Sequence, residues 1–130
     1  MTPAAGQGAL VLQARVDDSE SIAAAAAIGD ETALRELTAE RAVVALLDAT
    51  CATPIGVHAT VGAGNGGGDA GSASGSLTIE AFVGLPDGSE WIRDRVEGEA
   101  EEPAAAGALL AERLLGAGAR DVLDRAEEMA

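Results

Sequence analysis

The 130-residue sequence contains no lysine and no tyrosine, and only one cysteine, one histidine, one phenylalanine and one tryptophan. A single cysteine rules out an internal disulfide framework and a cysteine-rich zinc site, and fits a reducing compartment. A single histidine has no second imidazole with which to share a metal. With so few aromatic residues, a core must be built from Ala, Val, Leu and Ile. Cations are scarce too: eight arginines stand against 22 acidic residues, for a formal net charge of −14. Such a surface repels nucleic-acid phosphates and anionic membranes, so neither is expected as a partner. No apolar run approaches the roughly 20 residues that cross a bilayer, and the start lacks a basic segment followed by an apolar one. A soluble, cytoplasmic chain is expected, long enough for one domain or for one domain plus a piece of another.

What is present reads in order as follows. Residues 1 to 8 have no period and place glycines on both sides of Gln7, as in a loop. From Ala9 to Val16, Leu10, Leu12, Ala14 and Val16 alternate with Val11, Gln13 and Arg15, which predicts a strand. Asp17-Asp18-Ser19 offers N-cap oxygens to a helix reaching Ile28, and Gly29 ends it. A second helix opens at Asp30 and runs to about Leu47, with Leu34, Leu37, Val44 and Leu47 inward and Arg35, Glu36, Glu40 and Arg41 elsewhere. A strand with Ile55, Val57, Ala59 and Val61 on one side follows Pro54. Residues 62 to 76 form a Gly/Ser-rich connection. Strands over Leu77 to Gly84 and Glu90 to Val96 are joined by Leu85-Pro86-Asp87-Gly88, so they pair antiparallel. Pro103 opens a helix with Leu109, Leu110 and Leu114 inward. Gly118 separates it from a last helix carrying Val122, Leu123 and Ala126 on its inner side.

The fold class is therefore α+β: a small three-stranded antiparallel sheet covered on one face by helices, preceded by a strand-helix segment. One strand and one helix cannot form a core, so residues 1–28 are assigned to the end of another domain and residues 29–130 to the C-terminal one.

The candidate chemistry is sparse. Cys51 falls between a helix pattern and a strand pattern, on a turn where a thiol can be reached, although the commoner role of a lone cysteine is a small buried hydrophobe. Gly62, Gly64 and Gly67 spell G-x-G-x-x-G, but no helix N-terminus follows, so the match is compositional. His58 is a solvated or hydrogen-bonded strand residue before it is a general base. Glu97, Glu99, Glu101 and Glu102 are a solvated run, and no metal site is expected. Arg15 is either an exposed charge or a fork for a ligand carboxylate.

Pro3-Ala4-Ala5-Gly6-Gln7-Gly8-Ala9-Leu10, Arg15-Val16-Asp17-Asp18, Glu31-Thr32-Ala33-Leu34-Arg35, Thr38-Ala39-Glu40-Arg41-Ala42, Cys51-x-x-Pro54-Ile55-Gly56, Pro86-Asp87-Gly88 and Gly118-Ala119-Arg120 occur in an order that resembles the C-terminal part of the porphobilinogen deaminases (hydroxymethylbilane synthases). The resemblance implies a transferase of tetrapyrrole (haem) biosynthesis that joins four porphobilinogen units into hydroxymethylbilane. It implies that Cys51 carries a dipyrromethane cofactor through a thioether, that Gln7 and Gly8 lie on the loop beside the pyrrole chain, and that Arg15 lies near its acetate and propionate groups. Residues 9 to 28 then return to the family's first domain, and the remainder is its cofactor-bearing third domain. The chain departs from the family in having Ala49-Thr50 where two glycines usually precede the cysteine, and in a longer 62–76 stretch. It also lacks the first two domains, which hold the catalytic aspartate and most substrate-binding arginines. No catalytic residue is thus expected in this chain, which should be monomeric and inactive alone, its partners being porphobilinogen, the growing pyrrole chain and the missing N-terminal domains. The alternatives from other classes are a stand-alone acidic α+β binding module with a structural Cys51, and a cysteine hydrolase using His58.

The carboxylate-rich surface predicts that salt relieves self-repulsion. The melting temperature should rise as KCl is added; a flat response would leave the acidity as a compositional trait without adaptation to salt.

Overall fold

Caps and alternation place the elements. In the computed structural model, which describes residues 1–50, 53–62 and 75–129, the Asp18 carboxylate accepts from the Ser21 amide at 3.0 Å and opens α1 (Ser19–Ala27). Asp30 does the same for α2 (Glu31–Leu46), accepting from the Ala33 amide at 2.9 Å. Each side chain satisfies an N–H group that the first helical turn leaves without a partner. Three strands follow, β1 (Ile55–Gly62), β2 (Ser76–Gly84) and β3 (Trp91–Glu99), antiparallel in the order β1-β2-β3. Between β2 and β3 the chain turns where Gly88, at φ +74, donates to the Leu85 carbonyl. The last helices are α3 (Pro103–Gly116), with Pro103 in its first turn, and α4 (Ala119–Glu128), entered through Gly118 in the left-handed region.

Strand alternation makes one sheet face dry. Val57 lies opposite Ala81, Ala59 opposite Ile79, and Ile79 opposite Val96, and all are buried. Helices α2, α3 and α4 cover that face with Ala39, Val43, Leu47, Leu110, Leu114, Val122 and Leu123. The other face carries His58, Glu80, Phe82, Trp91, Arg93 and Arg95 and has no helix on it. The predicted α+β architecture, a three-stranded antiparallel sheet with helices on one face, is the one observed.

Three local expectations change. Residues 9–16 form no strand: among the described residues they lie in no strand ladder, and Leu10 is 98% exposed. A strand exists only in relation to a neighbour, and these residues have none among the described strands. Helix α1 forms, but none of its residues is buried. On α2 the inward stripe is Ala39, Glu40, Val43 and Leu47, while Leu34 is 62% exposed and the carboxylate of Glu40 is buried. Leu109 of α3 is likewise outward, and Ala106, Gly107 and Ala111 take inward positions. Small residues win because α2 and α3 approach closely: a Cβ on Gly107 would collide with the Ala39 carbonyl and stand 2.8 Å from the Ala42 methyl.

Gly107→Ala tests that approach. In a free helix this change would stabilise by about 1 kcal/mol. Here it should instead cost about 1–3 kcal/mol, because two backbones must separate; urea midpoints at unchanged slope would measure it.

Candidate functional site

The chain passes from α2 into β1 through a closed helix end. The Asp48 amide donates to the Ala45 carbonyl, and the Ala49 amide reaches back to Val44 at 3.0 Å, with Asp48 itself at φ +54. This is a Schellman ending in which aspartate takes the left-handed position usually given to glycine. The left-handed residue is thus Asp48, so the Ala49-Thr50 pair meets no positive φ and the departure from glycine is accommodated one residue earlier. Thr50 and Thr53 are then tied together: the Thr53 amide donates to the Thr50 carbonyl at 3.0 Å, and the Thr50 amide donates to the Thr53 hydroxyl at 2.8 Å. Cys51 stands between them in sequence and lies outside the described residues, as do Gly64 and Gly67.

Beyond Thr53 the outer edge of β1 is closed amide by amide. Ile55 donates to the Thr53 carbonyl at 2.8 Å and Val57 to the Pro3 carbonyl at 2.8 Å. Ala59 donates to Glu40 Oε1 and Val61 to Glu36 Oε1, both at 2.9 Å. The N-terminal residues run along this edge, and Gly56 permits it, since a Cβ there would collide with the Thr2 carbonyl. Thr2 Oγ1 donates to Glu80 Oε1 at 3.2 Å on the open sheet face, and the Gly6 amide donates to Glu40 Oε2 at 2.6 Å.

The expected site residues are therefore distributed as follows. Gln7 and Gly8 sit on a loop of two turns anchored on Glu40, with Gly6 and Gly8 at φ +71 and +85. The Gln7 side chain accepts from the Ala4 amide at 3.3 Å. Arg15 is exposed and pairs with no carboxylate among the described residues. No described contact joins Gln7 to Arg15. Five of the eight arginines are engaged: Arg113 grips Asp94 at 2.7 Å, Arg125 Glu90 at 2.6 Å, Arg93 Glu80 at 2.9 Å, Arg95 Glu97 at 3.6 Å, and Arg35 bridges Glu31 and Glu101. The Arg93 hydrogen bond holds the Glu80 carboxyl below its ordinary range. His58 Nδ1 is 3.6 Å from Glu40 Oε1.

No group of three or more metal-ligating side chains occurs among the described residues. No helix among them is long and apolar enough to cross a membrane. A shallow groove of about 260 Å³ opens on the bare sheet face between Met1, Thr2, Phe82, Trp91 and Arg93.

A closed helix end and a hydrogen-bonded Thr50–Thr53 pair precede β1, and Gly56 of Cys51-x-x-Pro54-Ile55-Gly56 is the residue that admits the N-terminal segment. The comparison with known proteins decides the lineage. Residues 34–116 match the family profile described as porphobilinogen deaminase, C-terminal domain. The chain belongs to the porphobilinogen deaminase family. It is 40% identical over 130 residues to the porphobilinogen deaminase of Campylobacter concisus, covering all of this chain and 38% of that protein. The enzyme of Thiobacillus denitrificans is 40% identical over 122 residues, covering 94% of this chain and 36% of that protein. That of Deinococcus radiodurans is 38% identical over 128 residues, covering 98% and 38%. The chain thus spans little more than a third of the length of the curated porphobilinogen deaminases it matches.

The sequence pattern did not single out Glu36 and Glu40 as closures of a strand edge. Two glutamates four apart on a helix are ordinarily a solvated pair; only the strand following the helix hints otherwise. Gly56→Ala should lift Thr2 and Pro3 off β1 while leaving the sheet folded. Amide exchange at Val57 would accelerate by an order of magnitude or more while Ile79 stays protected.

Proposed function

We propose that this chain is the cofactor-anchoring end of a porphobilinogen deaminase and works only together with the portion that precedes it in its relatives. The observation carrying this reading is similarity along the whole chain to enzymes of which it spans 38%. In this reading the complete enzyme is a cytoplasmic, monomeric transferase that joins four porphobilinogen units into hydroxymethylbilane.

Cys51 is the attachment point. Its thiolate forms a carbon–sulfur bond with the methylene of a pyrrole unit as the carbon–nitrogen bond breaks, and the leaving ammonia carries off the thiol proton. A thioether is not readily hydrolysed, which suits a permanent anchor. When bound, the dipyrromethane supplies the end to which further pyrroles add. The Thr50–Thr53 tie fits the role by joining the described residues on either side of Cys51 in sequence. Gln7 and Gly8 are assigned to the loop beside the pyrrole chain, and Arg15, uncommitted to any described carboxylate, to its acetate and propionate groups. Residues 1–28 are assigned to the end of the first domain and 29–130 to the cofactor domain, with residues 2–6 reaching across onto the outer edge of β1, so that Leu10, Val16 and Ile28, exposed here, are covered in the complete enzyme.

The isolated chain is expected to be inactive. Nothing in it is assigned to protonate the departing amine, and most of its arginines are spent on ion pairs within the sheet domain. Intact mass and an Ehrlich test on chain expressed in a tetrapyrrole-producing host give the check. A dipyrromethane adduct that disappears in Cys51→Ala, and bilane formation only when a matching N-terminal portion is co-expressed, are the expected results. A chain that stays unmodified even with that portion present would instead make it a binding module with a structural cysteine. Turnover by the isolated chain at a normal enzymatic rate would refute the inactivity.

A further inference from the structure

We propose that Glu40 and His58 form a proton-sensitive clasp that fastens residues 2–8 along the outer edge of β1. Glu40 is 6% exposed and both of its oxygens are used, Oε2 by the Gly6 amide and Oε1 by the Ala59 amide. A carboxylate taken out of water in this way requires a countercharge or additional donors. Among the described residues no arginine reaches it, and the one cation available is His58, with Nδ1 3.6 Å from Oε1. The imidazole is 49% exposed, so solvent reaches it.

The remaining charges around His58 do not take its place. Glu80 lies directly across on β2 but is already held by Arg93 and by the Thr2 hydroxyl. Arg95 faces Glu80 from β3. Glu36 on α2 is spent on the Val61 amide, and Met1, which carries the terminal amine, lines the groove with Phe82 and Trp91 and has no ion pair with His58 or Glu40 among the described residues. An imidazolium turns an N–H toward Glu40, whereas a neutral ring can present a lone pair there. Protonation therefore strengthens the carboxylate that holds Gly6, and with it the seat of the Gly6-Gln7-Gly8 loop. Two carboxylates, Glu40 and Glu80, each grip this N-terminal segment, and His58 is placed between them.

Amide exchange by NMR on the whole chain, corrected for intrinsic rates, tests the clasp. Between about pH 8 and about pH 5.5, the Gly6 amide should gain protection by about two- to fivefold, the range of a half-exposed ion pair, with Ile79 unchanged as the internal reference. His58→Gln should abolish that pH response while leaving the fold intact, and Glu40→Gln should lower Gly6 protection at both values. The proposal is overturned if Gly6 protection is flat with pH in the unaltered chain, or if the response persists in His58→Gln. Should Glu40→Gln fail to fold, His58→Gln alone carries the decision.

Discussion

Glu36 and Glu40 hold the outer edge of β1, and much of the structure depends on that contact. Four residues of helix rise about 6 Å, and two residues of antiparallel strand advance about 6.8 Å. Carboxylates one turn apart on α2 therefore fall in step with alternate amides of β1, and each accepts at 2.9 Å. With the Thr53 and Pro3 carbonyls taking the other two, the edge offers no unpaired donor over its length. An open edge is a template for pairing with another chain, and here the helix that covers the sheet also seals its rim. The same contact fixes which side of α2 faces inward, and so brings Ala39 against Gly107.

That arrangement explains why the hydrophobic period locates the inner face of the sheet and not that of α2. Alternation along Ile55, Val57, Ala59 and Val61 and along Leu77, Ile79, Ala81 and Val83 reports burial directly, because a strand has only two sides. A helix has a continuum of sides, and α2 spends its inner one on alanines and a glutamate whose need for partners is invisible in a hydrophobic pattern. Leu34 looked inward by period and is outward because small residues decide the closest helix contact. The strand expected over residues 9–16 shows the same limit from the other direction: its alternation is real in the sequence, but no described strand lies beside it to pair with.

The site was legible in part. Motif order placed the chain in its family and pointed to Cys51, Gln7, Gly8 and Arg15 as candidates. What order cannot supply is the physical reason for each residue. Gly56 is small because the Thr2 carbonyl passes over it, and Asp48 supplies the positive φ that the family pattern led one to seek at Ala49-Thr50. His58 appeared as an isolated strand histidine; only the register with Glu80 and the burial of Glu40 give it neighbours.

The two aromatic side chains have a consequence of a different kind. Phe82 and Trp91 stack at 6.2 Å on the bare sheet face, beside Met1 and Thr2, and Trp91 is 60% exposed. With no tyrosine and no second tryptophan in the chain, ultraviolet emission originates from that one spot. The protein carries a single optical reporter on the side away from its helices, sensitive to what the N-terminal residues do and nearly blind to the packing beneath the sheet.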